Sequence, residues 1–393
     1  MASQTAAPRE PSASVLGRRR REDDTMMLPP RKKPVQEDVC ASHGRHFGRT
    51  VAAMCSVNQL VTNALVRAPT LATTPLSELS SGERRKQQAF DALLRMFPGL
   101  EELVFGQDEQ SSLELEYAVE QKGINSARSD DGKGVRNALV NWLTPPGVAL
   151  DPPILPTSKA ERGFNHPMTG RLLCPAVLDW EDSSTQAKLK NGQIHPKGDD
   201  WPMVVYDEDL MVPGDTWAGL FRGPLLVKSF KHIFTSPSSV YGDPKSKRGS
   251  NSAKHQMQRV TRASIAYVAT LVWFGLQTTN VFNRTCTISA PQRFYNSVNE
   301  MLDDHDFHDL VVDLLAWWNE QIFPHAVAET EPIKEGTLYH RAKQEHLARK
   351  RAAAEQQARE EAERAAANQG GEDRGEAGDG QISTPPMASD ASD

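Results

Sequence analysis

The sequence predicts a mainly α-helical protein: a single helical domain with long Pro-rich irregular insertions, a disordered N-terminus and a long charged C-terminal helix. Three observations carry that reading. Apolar residues recur at helical spacing on both sides of a proline-dense stretch. All seven tryptophans lie between Trp142 and Trp318, which is where a packed core can form. Both ends of the chain lack apolar periodicity and turn to charged and small polar residues. The expected organisation is a disordered basic tail over 1–46, a mainly helical core over 47–329, a charged solvent-exposed helix over 330–369 and a disordered acidic tail over 370–393.

Within the core, Val51, Met54, Leu60, Ala64 and Leu65 predict a helix that ends before Pro69. Thr74-Pro75 offers a cap for the next, which carries Ala89, Leu93, Leu94 and Phe97 and stops at Pro98. Leu113, Tyr117 and Val119 predict a third, closed near Gly123. Asp130-Asp131 can cap a fourth through Val135, Leu139, Val140, Trp142 and Leu143. From Pro145 to Pro213 prolines come too often for long helices, and Met203 to Tyr206 reads as a brief strand. Trp180, Trp201 and Trp217 should pin this long region to the core, and loops of that length are often functional.

Helices resume at Leu225, Leu226, Phe230, Ile233 and Phe234. A central helix is expected from Ser252 to about Gln277, basic from Lys254 to Arg262 and apolar on nearly all sides from Ala266 to Leu276; such a helix is normally enclosed by others. Two more follow, one after Pro291 through Val298 and Leu302, the other from Leu310 to Ile322. The last pattern, from Glu331-Pro332 through Asn368, has acid-first pairs such as Glu345/Arg349 and no apolar seam, so it reads as one exposed helix of roughly 50 Å at ~1.5 Å per residue.

The 393 residues are 38% hydrophobic and 24% charged, with a formal net charge of −6, which reads as soluble and globular. The start of the chain carries Pro and charge where a secretory leader needs an apolar run. Ala263 to Leu276, the longest apolar run, falls short of the ~20 residues a bilayer requires. Cys40, Cys55, Cys174 and Cys286 are scattered without a Cys-x-x-Cys pair, so reduced thiols are expected and neither a disulfide framework nor a zinc knuckle is indicated. The sequon Asn283-Arg284-Thr285 is expected to stay unused without a secretory route.

Four clusters could carry chemistry or recognition. Arg18, Arg19, Arg20 and Arg21, then Arg31, Lys32 and Lys33, have the size and spacing of a bipartite nuclear import signal, against the plainer alternative of a solvated basic tail. Asp303 to Asp309 holds His305 and His308 among acids; on a helix His305/Asp309 and Asp304/His308 would share faces, but a third ligand is lacking, and an acidic helix start is the competing reading. Gly132-Lys133-Gly134 has neither the spacing nor the Lys-Ser/Thr pair of a phosphate loop and reads as a turn. Finally, Pro244 to Asn299 contains no acid, while Lys245, Lys247, Arg248, Lys254, Arg259 and Arg262 form a candidate polyanion-binding segment. The rival reading pairs those cations with Asp303 to Asp309 or with the C-terminal helix.

Several strings are similar to a large family of uncharacterised proteins from mushroom-forming fungi. They are Gly170 to Pro175 followed by Asp179-Trp180, Trp217 to Leu220, Phe230 to Ser239, and Trp318-Asn319 with Phe323-Pro324. The resemblance extends from about Phe90 to Pro324. It implies a basidiomycete source and a single helical domain, and it carries over no activity, cofactor or catalytic residue.

The expectation for function is therefore a nuclear binding or adaptor protein that contacts nucleic acid or acidic proteins through the basic segment and an import carrier through its tail, with no cofactor, metal or membrane. The alternatives are a cytoplasmic location, and a metal-assisted hydrolase with its site near His305/His308 or in the Pro-rich loops, where His166, His195 and Asp200 could converge. Replacing Arg31, Lys32 and Lys33 with alanine should release a fluorescent fusion from the nucleus into the cytoplasm. An unchanged distribution in cells would remove the import role from this signal.

Overall fold

In the computed structural model the described residues are 38–71, 74–97, 100, 117–144, 147–242, 249–279 and 291–324, with scattered positions between 338 and 359. The two basic clusters of the N-terminal tail, Lys245, Lys247, Arg248, the sequon, Cys286 and the acidic tail lie outside them. The described residues are mainly helical and contain isolated bridges but no strand. Contacts divide the chain into two compact units, Met1–Asp130 and Asp131–Asp393, where the periodicity had been read as one domain.

Unit 1 begins with α1 (Val39–Thr50), capped by the Asp38 carboxylate, which accepts from the Cys40 and Ala41 N–H groups. Residues 39–46 had been assigned to the tail. Within 39–46 the one buried residue is Gly44, and glycine gives no apolar signal. Helix α2 (Val57–Leu71) has its first N–H held by Glu120 Oε2 at 2.8 Å and continues past Pro69, against expectation. The proline falls in the last turn, where the bond it removes would end on Leu65, an exposed residue whose carbonyl can turn to water. Helix α3 (Ser81–Met96) starts at a capping box of Ser80 and Glu83; Pro75 opens only a short 3-10 turn, Leu76–Glu78.

The core of unit 1 gathers Phe47, Leu60, Leu93, Phe97, Val119 and Ile124. The chain does not close at Gly123. A wide π-type turn, Ala118–Asn125, leads straight into α4 (Ser126–Leu143), so Asp130-Asp131 and Gly132 to Gly134 are mid-helix and neither cap nor turn. Glycine here serves close approach. A Cβ on Gly44 would lie 2.5 Å from the Val119 carbonyl oxygen, and one on Gly123 would lie 2.7 Å from Gly44 Cα.

Unit 2 takes in α4 from Asp131 onward. A short α5 (Pro167–Leu173) follows the loop at 147–166, and α6 (Ser183–Lys190) is capped by Asp182. Met203–Val205 is a 3-10 turn and no strand; isolated bridges join Pro175 to Pro202 and Tyr206 to Leu220, because prolines without N–H cannot extend a ladder. Of the three tryptophans, Trp201 and Trp217 reach later elements, while Trp180 packs within the stretch. Trp180 stacks on Phe164, Trp201 Nε1 donates to Ser297 Oγ at 3.1 Å, and Trp217 stacks on Phe307 at 5.8 Å. Helix α7 (Pro224–Phe230) widens into a π-type turn, Lys231–Thr235.

The single central helix expected over Ser252–Gln277 is two. The short α8 (Asn251–Lys254) ends at His255, Gln256 takes a left-handed φ of 51°, and a new capping box of Thr261 and Ser264 starts α9 (Arg262–Leu276). In α9 every residue from Ser264 to Leu276 is buried, as expected of a helix apolar all round. Helices α10 (Pro291–Asp303) and α11 (His308–Ile322) follow. Trp273 of α9 stacks on Phe294 of α10 at 4.9 Å, and Trp318 of α11 packs on Phe230 and donates to the Phe221 carbonyl at 3.0 Å. The described positions between 338 and 359 are all helical and exposed.

Gly44→Ala should destabilise unit 1 by about 1–3 kcal/mol, because the new methyl meets backbone, which cannot yield, and this outweighs alanine's helix preference. Gly82→Ala, whose Cβ would meet nothing within 4 Å, should be neutral or stabilise by up to ~1 kcal/mol. Denaturant unfolding of both variants checks the contrast.

Candidate functional site

The basic segment is built from both ends of a short non-helical link. Ser250 Oγ accepts from Ala253 N–H, Asn251 Nδ2 donates to the Ile233 carbonyl, and Ser252 is buried. At the other end Val260 is buried and its N–H donates to Asn319 Oδ1 at 2.8 Å. Between these anchors Lys254 and Arg259 stand exposed. The helix break changes the electrostatics expected from sequence. Lys254 ends α8, Arg259 is on no helix, and only Arg262 occupies a helix N-terminus, where the dipole disfavours a cation. Arg262 is matched there by Asp303, 3.6 Å away. Arg262 is thus ion-paired, as the rival reading had it; Lys254 and Arg259 are exposed, and Lys254 also interacts within the chain.

The metal-like cluster is divided. Asp304 caps a 3-10 turn, His305–Phe307, and α11 begins at His308, so the predicted i,i+4 pairs do not share one helix. Asp304 accepts from Asp306 N–H, Asp303 is held by Arg262, and the exposed His305 and His308 rings lie 6.4 Å apart. Among the described residues no three His, Cys, Asp or Glu side chains are placed to hold a metal. His166 proves to be a buried helix cap: its Nδ1 accepts from Met168 N–H at 3.0 Å and its Nε2 lies 2.8 Å from the Pro152 carbonyl. Asp200 accepts from Lys197 N–H. Cys174 is buried and its thiol is pushed up to about 11 by burial, with Asp179 adding to the effect, so it stays protonated and unreactive.

Sequence reasoning missed Lys159 and Arg162, each at most 2% exposed. Lys159 Nζ donates to the carbonyls of Phe274, at 2.5 Å, and Thr279, and lies 3.6 Å from the centre of the Phe274 ring. Arg162 donates to the Gly275 carbonyl at 2.6 Å and to those of Arg136, Leu155 and Pro156. Two basic side chains thus donate into the carbonyl end of α9, the end the dipole makes negative. A Pro-rich loop with two spaced cations was visible, but nothing in the sequence indicated what they reach. Beside this end a pocket of about 200 Å³ opens between Phe164, Leu189, His195 and Trp273.

Residues 122–323, a little over half of the chain, match the family of unknown function DUF6698. The chain belongs to that family. The match starts later than the resemblance read from the strings, at 122 and not near Phe90. Comparison with curated proteins and with solved structures gave no match. The strings that carried the resemblance hold the fold together: a Cβ on Gly170 would lie 2.3 Å from the Trp180 ring, Gly219 takes a left-handed φ of 79°, and Trp318 and Asn319 fix Phe221 and Val260.

Burial first, then the nearby Arg162 and Arg136 charges, depress the Lys159 pKa from 10.5 to about 7. The folded protein therefore binds fewer protons than the unfolded chain between pH 7 and 10.5, and this group makes stability rise with pH across that window. Urea unfolding at pH 7 and 9.5 should show a gain in the wild type that Lys159→Met lacks. Lys159→Met should also lower stability at pH 9.5, since two carbonyls lose their donor.

Proposed function

We propose that this chain is a nuclear binding or adaptor protein that contacts nucleic acid, or another polyanion, through residues 245–262. In this reading the protein comes from a basidiomycete fungus and enters the nucleus through Arg18–Arg21 and Arg31–Lys33. The supporting observation is the pair of anchors at Ser252 and Val260, which hold a short acid-free link so that Lys254 and Arg259 face solvent. Cations on a tethered link lose less conformational freedom on binding than cations on a free loop. Lys245, Lys247 and Arg248 precede the link directly in sequence and extend its charge. Tyr241 is the one aromatic close by in sequence, so contacts should go to phosphates and not to stacked bases, and affinity should vary little with base sequence.

The test is a salt titration with double-stranded DNA. Replacing all six cations by alanine should abolish measurable binding at moderate salt. Lys254→Ala with Arg259→Ala should flatten the slope of log affinity against log salt by about 1.4–1.8, at ~0.7–0.9 per lost contact. Arg262→Ala should leave the slope unchanged and lower thermal stability, as expected of a residue paired with Asp303. Equal slopes for the wild type and the six-residue variant would refute this reading.

A further inference from the structure

We propose that Ser236 is a phosphorylation site for a proline-directed protein kinase, and that the phosphate weakens polyanion binding by the adjacent basic segment. The second half rests on the function proposed above; the first half does not. Ser236 is the residue at which the π-type turn Lys231–Thr235 ends, and its backbone is extended, with φ −164° and ψ 156°. Pro237 and Ser238 beyond it are exposed. Ser236 itself is half-exposed, and its hydroxyl, held by the Ser239 N–H and by Ser238 within the same turn, comes free by local opening for in-line attack on a nucleotide γ-phosphoryl group.

The surroundings are made of hydroxyl groups. Thr235 Oγ1 and Ser239 Oγ lie 2.6 Å apart, Ser236 and Ser238 Oγ lie 3.0 Å apart, and the Ser239 N–H donates to Ser236 Oγ at 3.1 Å. Among the described residues no carboxylate takes part in this network. From Thr216 to Asn299 the sequence holds one acid, Asp243, against Lys228 and Lys231 before the site and Lys245, Lys247 and Arg248 after it. A phosphate at Ser236 would add about 1.5–2 negative charges within that cationic stretch and compete for the cations that nucleic acid would use.

In the reaction Ser236 Oγ forms a bond to the γ-phosphorus of ATP, the bond from that phosphorus to the β–γ bridging oxygen breaks, and ADP leaves. The hydroxyl proton passes to the kinase's catalytic base. The experiment incubates the full chain with a purified proline-directed kinase and ATP, beside a peptide spanning Phe230 to Tyr241, and maps the product by mass spectrometry. Phosphate is expected on Ser236 of both, on Ser238→Ala, and at no residue of this segment in Ser236→Ala. An unmodified Ser236 in the folded chain, whether or not the peptide reacts, overturns the site. DNA affinity of the phosphorylated chain should then fall about tenfold, with a shallower salt slope. Unchanged affinity overturns the regulation and leaves the site standing. If the unmodified chain binds no DNA, the proposed function and its regulation fall together, while the mass map still decides the site.

Discussion

A helix with no polar face must be enclosed, and its last carbonyls must find donors that are not bulk water. In α9 both demands are met by the least regular part of the chain. Lys159 and Arg162, from the Pro-rich loop, close the carbonyls of Phe274 and Gly275. Among the described residues no carboxylate bonds to either side chain; the carbonyl end of the helix dipole takes that place. The loop must then pass close to α9 along this stretch, and Arg162 ties it to itself at Leu155 and Pro156. A segment that looked like an insertion is structurally obligatory.

The same helix sets the character of its neighbours. Its carbonyl-end turn approaches α4 through Gly275, where a Cβ would stand 2.6 Å from Leu139 Cδ1, while Gly132 and Gly134 of α4 lie against Leu271 and His232. In a sequence these glycines look like turns, because the backbone freedom of glycine is its commonest signal. Here they are close-approach positions within continuous helical turns. That is why the closure at Gly123 and the turn at Gly132–Gly134 were misread, and why α1, which packs through Gly44 and Gly48, was missed.

What was legible followed from side chains that announce their environment. Periodic Leu, Val and Trp placed α7, α10 and α11, and the unbroken apolar run placed the buried half of α9. Trp201 and Trp217 showed that the Pro-rich stretch is anchored. The helix break at Gln256 was not legible, because Thr261 and Ser264 do not resemble the Ser/Thr-x-x-Glu form of a capping box. The candidate site suffered from that break: six cations read as a loop feeding one helix separate into an exposed pair, an ion-paired Arg262 and three that precede the described link.

The family matched is one of unknown function, so membership brings no chemistry with it. The strings singled out in the sequence are close approaches, left-handed turns and side-chain hydrogen bonds, such as Trp318 to Phe221 and Asn319 to Val260. Those contacts specify a scaffold. The second of them also fixes the base of the link that carries Arg259, so the scaffold and the proposed binding surface meet at one amide. A side chain that holds Val260 in place also sets how far the neighbouring guanidinium can reach. Loss of Asn319 would therefore loosen the surface before it unfolded the core, since Val260 would lose a hydrogen-bond acceptor while the buried length of α9 kept its packing.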